Sequence, residues 1–394
     1  MKKVIIFGST GSIGKNALEV IRKDKQSFKI IGLCANRDTK TLYAQIKEFS
    51  PSYVCVADEI KAKELKEKLN KEIKFFSGEK GLREFASLQS DISLMAISGI
   101  SCLEPLLINI KHTKRVALAN KESIVVGGSI VFRMAKEFNT EIIPVDSEIN
   151  ALYQIIEKMQ IAPESNSFKK VYLTASGGSL YNKKDLIKVG IKDVLSHPTW
   201  KMGKRITIDS ATLVNKGFET IESHYFFNLP YKKIDIIIHR ESIVHALVEY
   251  KDNTIFACMY PPDMKTPIAF AFYYPQRHCS LSGPLFSGKK HLKNNLNNYC
   301  SCSFSPIRYD RYPLLKMILE AAEKKDNSLA VLNACDEIAI DYFLQGKISF
   351  TDIYKAMHYL SQNYPLSQIK SINDIFYWDN WARIKTKEYL DKLS

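Results

Sequence analysis

The feature that most constrains the fold is an alternation of short apolar strands and helices through the first third of the chain. Residues 3–7 have the apolar character of a buried strand and residues 14–22 that of a helix, and the same pair recurs at 28–34 and 41–49. Further strands are predicted at 53–57, 92–97, 115–118 and 141–145, with helical stretches such as 60–69 between them. Uniformly apolar strands separated by helices indicate a sheet that is buried on both faces. The pattern predicts an α/β fold with an N-terminal, doubly wound, Rossmann-like parallel sheet.

The pattern changes after Asn150. Strands are predicted at 171–174 and 234–239, and strands 246–250 and 254–259 form a hairpin about a turn at 251–253. Residues 275–306 carry Gly, Ser, Asn and Pro without periodicity, and helical patterns follow at 314–324, 328–345, 350–359 and 380–393. We therefore expect an N-terminal domain (1–149), an α+β domain (150–274), a linker (275–312) and a C-terminal α-helical domain (313–394).

The charge of the chain favours anionic partners. Its 394 residues have a net charge of +14, but the lysines are spread evenly and no nucleic-acid-binding module is recognisable. Solvated surface is the better interpretation of most of this charge, so we expect no nucleic-acid partner. Small phosphorylated ligands remain open.

The remaining composition is that of an ordinary globular protein. No apolar run is long enough to span a membrane, and the start resembles neither a signal peptide nor a transit peptide. The 8 cysteines are scattered, and only Cys300 and Cys302 are close, which does not make a zinc site. We expect reduced thiols, no membrane partner and a cytoplasmic location.

A glycine-rich segment, Gly8-Ser9-Thr10-Gly11-Ser12-Ile13-Gly14, joins the first predicted strand to the first helix. Glycines at this junction let the backbone turn tightly and approach a pyrophosphate, whose charge suits the free N–H groups of the helix N-terminus. The G-x-x-G-x-x-G spacing is a variant of the dinucleotide fingerprint. The segment predicts a dinucleotide site, and a glycine turn that serves packing only is the alternative.

The end of the second strand indicates which dinucleotide. An acidic residue there would bind the ribose 2′-hydroxyl of NAD(H). This chain has Asn36, Arg37 and Asp38, and Arg37 can pair with a 2′-phosphate. The sequence therefore favours NADP(H), with Asp38 as the residue that argues the other way and a plain surface charge as the alternative for Arg37.

Polar clusters follow three predicted strands, and ligands of such sheets lie beyond the carboxyl ends of the strands. The clusters are Asn120-Lys121-Glu122, Asp146-Ser147-Glu148 and Ser176-Gly177-Gly178. Taken singly, each is as readily a helix cap as a site. In particular, Asp146 or Ser147 could cap a helix at 151–159.

The densest polar stretch runs from His197 through Trp200 and Met202 to Glu219. We expect Asp209 or Ser210 to cap a helix on which Asn215, Lys216 and Glu219 share one face. An amide and an ammonium group donate to phosphate oxygens, and a carboxylate beside them suggests a cation. A Lys–Glu surface pair is an equal alternative on spacing alone.

Seven segments in this order resemble a known family. GSTGSIG, LANKES, PVDSE, LTASGG, HPTWKMG, DSATLVNKGFE and PPDMKTPIA together resemble the 1-deoxy-D-xylulose 5-phosphate reductoisomerases, and the resemblance covers essentially the whole chain. It implies an NADPH-binding domain, a catalytic domain, a linker and a helical domain in a homodimer. It also implies metal-dependent rearrangement of a phosphorylated sugar followed by reduction with NADPH, giving 2-C-methyl-D-erythritol 4-phosphate for isoprenoid synthesis.

The resemblance also implies roles for individual residues. Thr10, Gly11, Ser12 and Ile13 would bind the pyrophosphate of NADPH, Asn36 and Arg37 its adenosine end, and Asn120, Glu122 and Gly203 the rest of the cofactor. The substrate would be held by Lys121, Ser147, Glu148, Ser176, His197, Trp200, Met202, Ser210, Asn215, Lys216 and Glu219. Asp146, Glu148 and Glu219 would bind Mg²⁺ or Mn²⁺ and act in catalysis with Lys121, while Trp200 and Met202 would lie on a lid.

The chain departs from the family pattern at a few positions. Ile149 stands where His is common, Asn36 where Gly is usual, and Asp336 lies in an NACDE segment where NAANE is common. None of these is a predicted metal ligand. Two other functions stay open: a plain NADPH-dependent reductase with structural carboxylates, and a basic nucleic-acid-binding or NADPH-sensing regulator without catalysis.

Overall fold

The computed structural model describes residues 1–69, 72–158, 168–200, 202–278 and 301–393. These residues form two compact units. The first contains Met1–Ser123, Ser129–Asn150 and a later segment that starts at Asp263, and the second contains Ile124–Gly128, Ala151–Pro262 and the described C-terminal part. The expected division at 149/150, 274/275 and 312/313 stays a prediction, and most of the expected linker lies outside the described residues.

The β-strands are numbered in chain order. They are β1 (Lys2–Phe7), β2 (Phe28–Ala35), β3 (Tyr53–Val56), β4 (Lys74–Ser77), β5 (Ser90–Met95), β6 (Thr113–Leu118), β7 (Glu141–Pro144), β8 (Phe168–Ala175), β9 (Ile234–Ile238), β10 (Val244–Tyr250), β11 (Ile255–Met259) and β12 (Ser305–Pro306).

The α-helices are numbered in the same way. They are α1 (Ser12–Lys23), α2 (Thr39–Phe49), α3 (Glu59–Lys66), α4 (Gly78–Ala86), α5 (Leu103–Ile110), α6 (Glu122–Glu137), α7 (Ser147–Lys158), α8 (Ile191–Val194), α9 (Lys204–Thr212), α10 (Val214–Phe227), α11 (Lys265–Tyr273), α12 (Pro313–Lys324), α13 (Ser328–Leu344), α14 (Phe350–Gln362) and α15 (Ile372–Leu390).

The first unit is built on a parallel seven-stranded sheet with the order β4-β3-β2-β1-β5-β6-β7. Its central strand, β1, is fully buried from Val4 to Phe7, as a strand covered on both faces must be. This confirms the predicted α/β class and the doubly wound sheet. The short strand β4 escaped prediction because only Phe76 of its four residues is buried.

The chain returns to the first unit late, through α11. Phe28 of β2 packs its ring 5.7 Å from that of Phe272 and 5.0 Å from that of Tyr273. The Tyr273 hydroxyl donates to Asp24 Oδ2 at 2.7 Å, just after α1. Helix α11 therefore completes the packing beside β2, although its sequence lies more than a hundred residues beyond β7.

The second unit contains a mixed five-stranded sheet with the order β11-β10-β8-β9-β12. Strand β8 pairs parallel with β9 and antiparallel with β10, and β10 and β11 form the predicted hairpin. Helices α12 to α15 form the predicted C-terminal helical part, with α15 beginning eight residues earlier than the expected 380. None of the described helices is long and apolar enough to cross a bilayer.

Two further predicted helix starts are wrong. Helix α7 begins at Ser147 rather than at 151, so Ser147 and Glu148 lie in its first turn. Asp209 and Ser210 do not cap the helix that carries Glu219, because they lie inside a separate helix, α9. Leu213, with a left-handed φ of 60°, separates α9 from α10, and no glycine or proline marks that break in the sequence.

Candidate active site

The glycine-rich loop after β1 is as tight as its sequence predicts. Gly8 has a φ of +79°, and a Cβ there would lie 2.4 Å from the Ala96 carbonyl oxygen. A Cβ on Gly14 would lie 2.4 Å from the Gly8 carbonyl oxygen. Ser9 is fixed beneath the loop, since its hydroxyl donates to Gln45 Oε1 at 2.8 Å and its carbonyl accepts from Gln45 Nε2 at 2.9 Å. No side chain fits at Gly8 or Gly14, so the loop requires glycine at both positions, and the residues between them form its outer surface.

The predicted pyrophosphate residues lie on that outer surface. Gly11 and Ser12 are exposed, and Thr10 and Ile13 are half-buried. Helix α1 begins at Ser12, and its first turn carries no acidic residue. The N-terminal end of α1 therefore offers partial positive charge and donors for an anion.

At the end of β2, Asp38 and Arg37 have different partners. Asp38 caps α2, where its Oδ1 accepts from the Thr41 amide at 3.0 Å. Burial raises the pKa of the Asp38 carboxyl, but the hydrogen bonds that it accepts from Thr41 lower it by more, so the pKa lies below its ordinary value. Arg37 is mainly exposed, at 77%, and its Nε donates to Asp58 Oδ2 at 2.8 Å. The acidic residue thus serves α2, while exposed Asn36 and Arg37 present their side chains at the end of the strand.

The cluster after β6 is held by its own hydrogen bonds. Asn120 Nδ2 donates to the Gly99 carbonyl at 3.0 Å and to Glu122 Oε2 at 2.8 Å. Asn120 Oδ1 accepts from the Ser123 amide at 2.9 Å, and Glu122 Oε1 accepts from the Gly99 amide at 3.3 Å. These bonds tie the loop after β5 to the start of α6, so Asn120 and Glu122 are fixed in place.

Two neighbouring strand ends bring Lys121 and Asp146 together. Strands β6 and β7 pair in parallel, and an ion pair joins Lys121 Nζ to Asp146 Oδ2 beyond their carboxyl ends. Only 8% of the Lys121 side chain and 12% of the Asp146 side chain is exposed. Ser147 donates its hydroxyl proton to Glu148 Oε2 beside this pair. The structure thus gathers four of the predicted residues of the first unit at one edge of its sheet.

Ile149, which follows Glu148, is one of the positions at which the chain departs from the family pattern. Ile149 is fully buried and belongs to the apolar face of α7. The next residue, Asn150, donates from Nδ2 to the Pro144 carbonyl at 2.8 Å, which fixes the start of α7 against the end of β7. An apolar side chain at position 149 therefore serves packing.

In the second unit, the loop after β8 brings Ser176 to His197. Ser176 Oγ lies 2.9 Å from His197 Nε2. His197 Nδ1 accepts from the backbone amides of Thr199, at 3.3 Å, and Trp200, at 3.0 Å. Because Nδ1 accepts, the neutral ring carries its proton on Nε2, and His197 donates to Ser176. The pair forms a directed chain of donors that an anionic oxygen could join.

The loop that carries Ser176 also touches Ser210. Gly177 and Gly178 both have left-handed φ values, and a Cβ on Gly178 would lie 2.5 Å from the Ser210 carbonyl oxygen. Arg240 Nη1 donates to the Ser176 carbonyl at 3.1 Å, and the Tyr312 hydroxyl donates to the Gly177 carbonyl at 3.2 Å. Glycine at 178 therefore permits the close approach of the loop to α9.

Helix α10 places three predicted residues on one face, as expected. Glu219 Oε1 accepts from Asn215 Nδ2 at 2.5 Å, and Lys216 Nζ lies 2.5 Å from Glu219 Oε2. The side chains of Lys216 and Glu219 are 4% and 1% exposed. The alternative of a Lys–Glu surface pair is therefore wrong, because the pair is buried.

The segment between His197 and α9 carries the remaining predictions. Trp200 and Met202 are half-buried and Gly203 is exposed. The Trp200 ring meets the ring of His245 edge-on, with centroids 6.1 Å apart. The predicted lid role of Trp200 and Met202 stays a prediction.

Sequence reasoning missed three polar residues of the second unit. Arg240 and Tyr312 support the Ser176 loop, and Arg205 donates to Asn333 of α13. Their signal was weak, since the partners of each residue lie between about 60 and 135 residues away in the sequence.

Three family models match the chain. One described as 1-deoxy-D-xylulose 5-phosphate reductoisomerase matches residues 4–128, and one described as its C-terminal domain matches residues 142–227. A third, described as the DXP reductoisomerase C-terminal domain, matches residues 259–385.

Curated relatives and solved structures agree with these matches. The 1-deoxy-D-xylulose 5-phosphate reductoisomerase of Thermodesulfovibrio yellowstonii is 42% identical over 391 residues, which cover 98% of this chain and 99% of that protein. A crystal structure of DOX-P reductoisomerase in complex with NADPH, fosmidomycin and magnesium is similar with a TM-score of 0.91 and 34% identity, covering 100% of this chain and 99% of the other. The Zymomonas mobilis reductoisomerase in complex with NADPH has a TM-score of 0.86 and 33% identity, with 99% of each chain covered.

Proposed function

The chain belongs to the 1-deoxy-D-xylulose 5-phosphate reductoisomerase family, and we propose that it catalyses the reaction for which that family is named. The enzyme rearranges 1-deoxy-D-xylulose 5-phosphate and reduces the product with NADPH to 2-C-methyl-D-erythritol 4-phosphate, a precursor step of isoprenoid synthesis. The observation that carries the proposal is full-length similarity to a structure that contains NADPH, fosmidomycin and magnesium.

We assign NADPH to the first unit. The tight loop at Gly8 and the open end of α1 suit a pyrophosphate, which Thr10, Gly11, Ser12 and Ile13 would hold. Asn36 and Arg37 would bind the adenosine end, since Asp38 is engaged in capping α2. Asn120, Glu122 and Gly203 would contact the rest of the cofactor. When bound, NADPH supplies the hydride for the reduction.

We assign the divalent cation to Asp146, Glu148 and Glu219, each of which offers a carboxylate oxygen. Carboxylates are the ligands that Mg²⁺ and Mn²⁺ prefer, so the donor set fits either ion. Positive charge lies beside two of the three carboxylates, because Lys121 pairs with Asp146 and Lys216 pairs with Glu219. When bound, the cation stabilises negative charge that develops on the substrate oxygens.

The substrate phosphate is assigned to donors of the second unit. His197 donates from Nε2, and Ser176, Ser210, Asn215 and Lys216 carry hydroxyl, amide and ammonium donors. Ser147 and Lys121 would contact the sugar end, where buried Lys121 can stabilise an oxygen that gains charge. Trp200 and Met202 would cover the bound substrate and exclude water.

Turnover with and without metal tests the proposal. The purified protein should oxidise NADPH only when both 1-deoxy-D-xylulose 5-phosphate and Mg²⁺ or Mn²⁺ are present, and EDTA should stop the reaction until metal is restored. Metal-independent oxidation would indicate a plain reductase instead. Salt-sensitive binding of random DNA without any oxidation would indicate the regulatory alternative.

We also propose a homodimer and a cytoplasmic location. Strand β11 lies at the edge of the five-stranded sheet and exposes Ile255 by 53%, Phe256 by 41% and Met259 by 37%. An apolar edge of this kind is suited to a second copy of the chain, and light scattering of the wild type against Phe256→Lys would test it. Cys34, Cys55, Cys102 and Cys335 are buried free thiols, which suits a reducing compartment, and cell fractionation would check the location.

A further inference from the structure

A buried polar network joins helix α9 to helix α13 in the second unit. Arg205, in the first turn of α9, pairs with Glu337 through Nη1. Its Nη2 donates to Asn333 Oδ1 at 3.0 Å and lies 3.4 Å from Asp336 Oδ2. Its Nε lies 3.7 Å from Asp209 Oδ2, one turn further along α9. A single guanidinium group thus connects α9 to three side chains of α13.

The network holds more negative than positive charge. Helix α15 contributes a second cation, Arg383, which pairs with Glu337 and lies 2.6 Å from Asp379 Oδ2. With Asp209 and Asp336 included, two guanidinium groups face four carboxyl groups among the residues that the structure describes. The side chain of Asp336 is 1% exposed and that of Asp209 7% exposed, so water cannot compensate the excess. An imbalance of this kind in a buried cluster favours the protonation of one carboxyl group.

The carboxyl groups of Asp209 and Asp336 are where that proton belongs. The two carboxyl groups lie near enough to each other for a hydrogen bond, which can form only when one of them is protonated. Among the described residues, no N–H or O–H group donates to the buried Oδ1 of Asp336. Burial raises the pKa of Asp336 to about 6, with Arg205 opposing and Glu337 adding to the rise. Because the two carboxyl groups interact, the proton is assigned to the pair and not to either residue alone.

Helix α9 is the element that this network holds. Ser210 follows Asp209 directly, and its carbonyl is the group against which Gly178 packs. The helix then runs through Leu213 into α10, where Asn215 and Lys216 lie. A change in the attachment of α9 therefore reaches the proposed phosphate donors on both α9 and α10.

We propose that Arg205 is a positioning residue, which acts with the proton shared by Asp209 and Asp336 to clamp α9 onto α13 and so holds Ser210 in place for the substrate phosphate. The proposal rests on the proposed function, because the position of Ser210 affects activity only if Ser210 binds the substrate phosphate. The charged groups that face Asp336 are Arg205 and Asp209 from α9 and Glu337 from its own helix, with Arg383 and Asp379 of α15 beyond Glu337.

The sign of the pH effect follows from the raised pKa of Asp336. Below that pKa the shared proton joins the two carboxyl groups, and the clamp is closed. As the pH rises through about 6, the proton leaves and the two carboxylates repel each other, so α9 loosens. Substrate binding should weaken in the same pH window, while NADPH binding should not follow.

Asp336→Asn tests the clamp, since an amide can donate to Asp209 at every pH. The ratio of the wild-type KM to the variant KM for 1-deoxy-D-xylulose 5-phosphate should be about 1 at pH ~5.5 and about 3 to 10 at pH ~8. The same ratio for NADPH should stay flat. Arg205→Gln should raise the KM for the sugar phosphate about tenfold at both pH values, and Arg205→Lys should rescue it only in part because lysine lacks the forked donors.

Asp379→Asn is the matched control, because it makes the same change in the same network but on α15. Its KM ratios should not vary with pH. Hydrogen exchange of the α9 amides gives a readout that needs no turnover: exchange should speed up from pH ~5.5 to ~8 in the wild type, beyond the intrinsic effect of pH, but not in Asp336→Asn. Equal α9 protection in both proteins, or a flat KM ratio, overturns the clamp. A wild type without turnover overturns the proposed function, and hydrogen exchange still decides the clamp.

Discussion

Two buried lysine–carboxylate pairs, one in each unit, are built in opposite ways. Lys121 and Asp146 lie 25 residues apart and meet because β6 and β7 are neighbours in a parallel sheet. Lys216 and Glu219 are three residues apart on one helix, and their side chains are more deeply buried, at 4% and 1% exposed. The first pair exists only once the sheet has formed, whereas the second is set by helical spacing alone.

The difference shows which part of a site a sequence pattern can locate. Strand ends of a parallel sheet share one edge, so polar residues after β6 and β7 are predicted to meet. Spacing on a helix predicts a shared face but not whether that face is buried. For that reason, the sequence could not show whether the Lys216–Glu219 pair lies on the surface or in a site. The packing of α10 buries it.

The largest expected effect is the loss of metal-dependent turnover on changing either carboxylate. Asp146→Asn and Glu219→Gln should each abolish it, because both residues are proposed ligands of one cation. Electron paramagnetic resonance should show loss of tight Mn²⁺ binding in each variant. NADPH affinity should stay close to that of the wild type.

A second lysine–aspartate pair at the opposite edge of the first sheet provides the control. Lys114 Nζ lies 2.8 Å from Asp91 Oδ1, between β6 and β5. Asp91→Asn should keep both Mn²⁺ binding and turnover. If Asp146→Asn or Glu219→Gln turns over like the wild type, that residue is not a ligand of the cation.

The next largest expected effect concerns NADPH, the ligand that we assign to the first unit. Arg37→Glu should weaken NADPH binding by more than tenfold and NADH binding far less, since one charge-assisted hydrogen bond is worth ~1.5–3 kcal/mol. Fluorescence titration with both cofactors measures the difference. Arg22→Glu is the control, because Arg22 also forms an exposed pair, with Glu48 Oε1 at 2.6 Å, but lies at the far end of α1. Equal losses for NADPH and NADH would remove Arg37 from the 2′-phosphate.

The smallest expected effect concerns the substrate phosphate, which we assign to the second unit. Ser176→Ala should raise the KM for 1-deoxy-D-xylulose 5-phosphate about tenfold, at the lower end of the ~1.5–3 kcal/mol for a hydrogen bond to a charged group, because the other phosphate donors remain. The affinity for NADPH should not change. Ser179→Ala is matched to it, since Ser179 lies in the same loop but donates to the Val194 carbonyl at 2.7 Å. A similar rise in both variants would indicate damage to the loop rather than loss of a phosphate donor.

The fold of the first unit follows from sequence more fully than that of the second. Apolar runs located all its long strands, because each crosses a sheet buried on both faces. The break at Leu213 could not be predicted, since a leucine with positive φ is selected by tertiary contacts rather than by its own preference. Arg205 was missed for a related reason, as its partners lie about 130 residues away.

The return of α11 to the first unit has a consequence for how the protein is synthesised. Phe28 emerges from the ribosome early, yet the rings that cover it, Phe272 and Tyr273, are made some 240 residues later. The unit that is translated first therefore cannot complete its packing until much of the second has been made. Such non-local closure is slow, and a nascent chain paused before α11 would expose the Phe28 ring to chaperones. An excised fragment of residues 1–150 carries the same defect permanently.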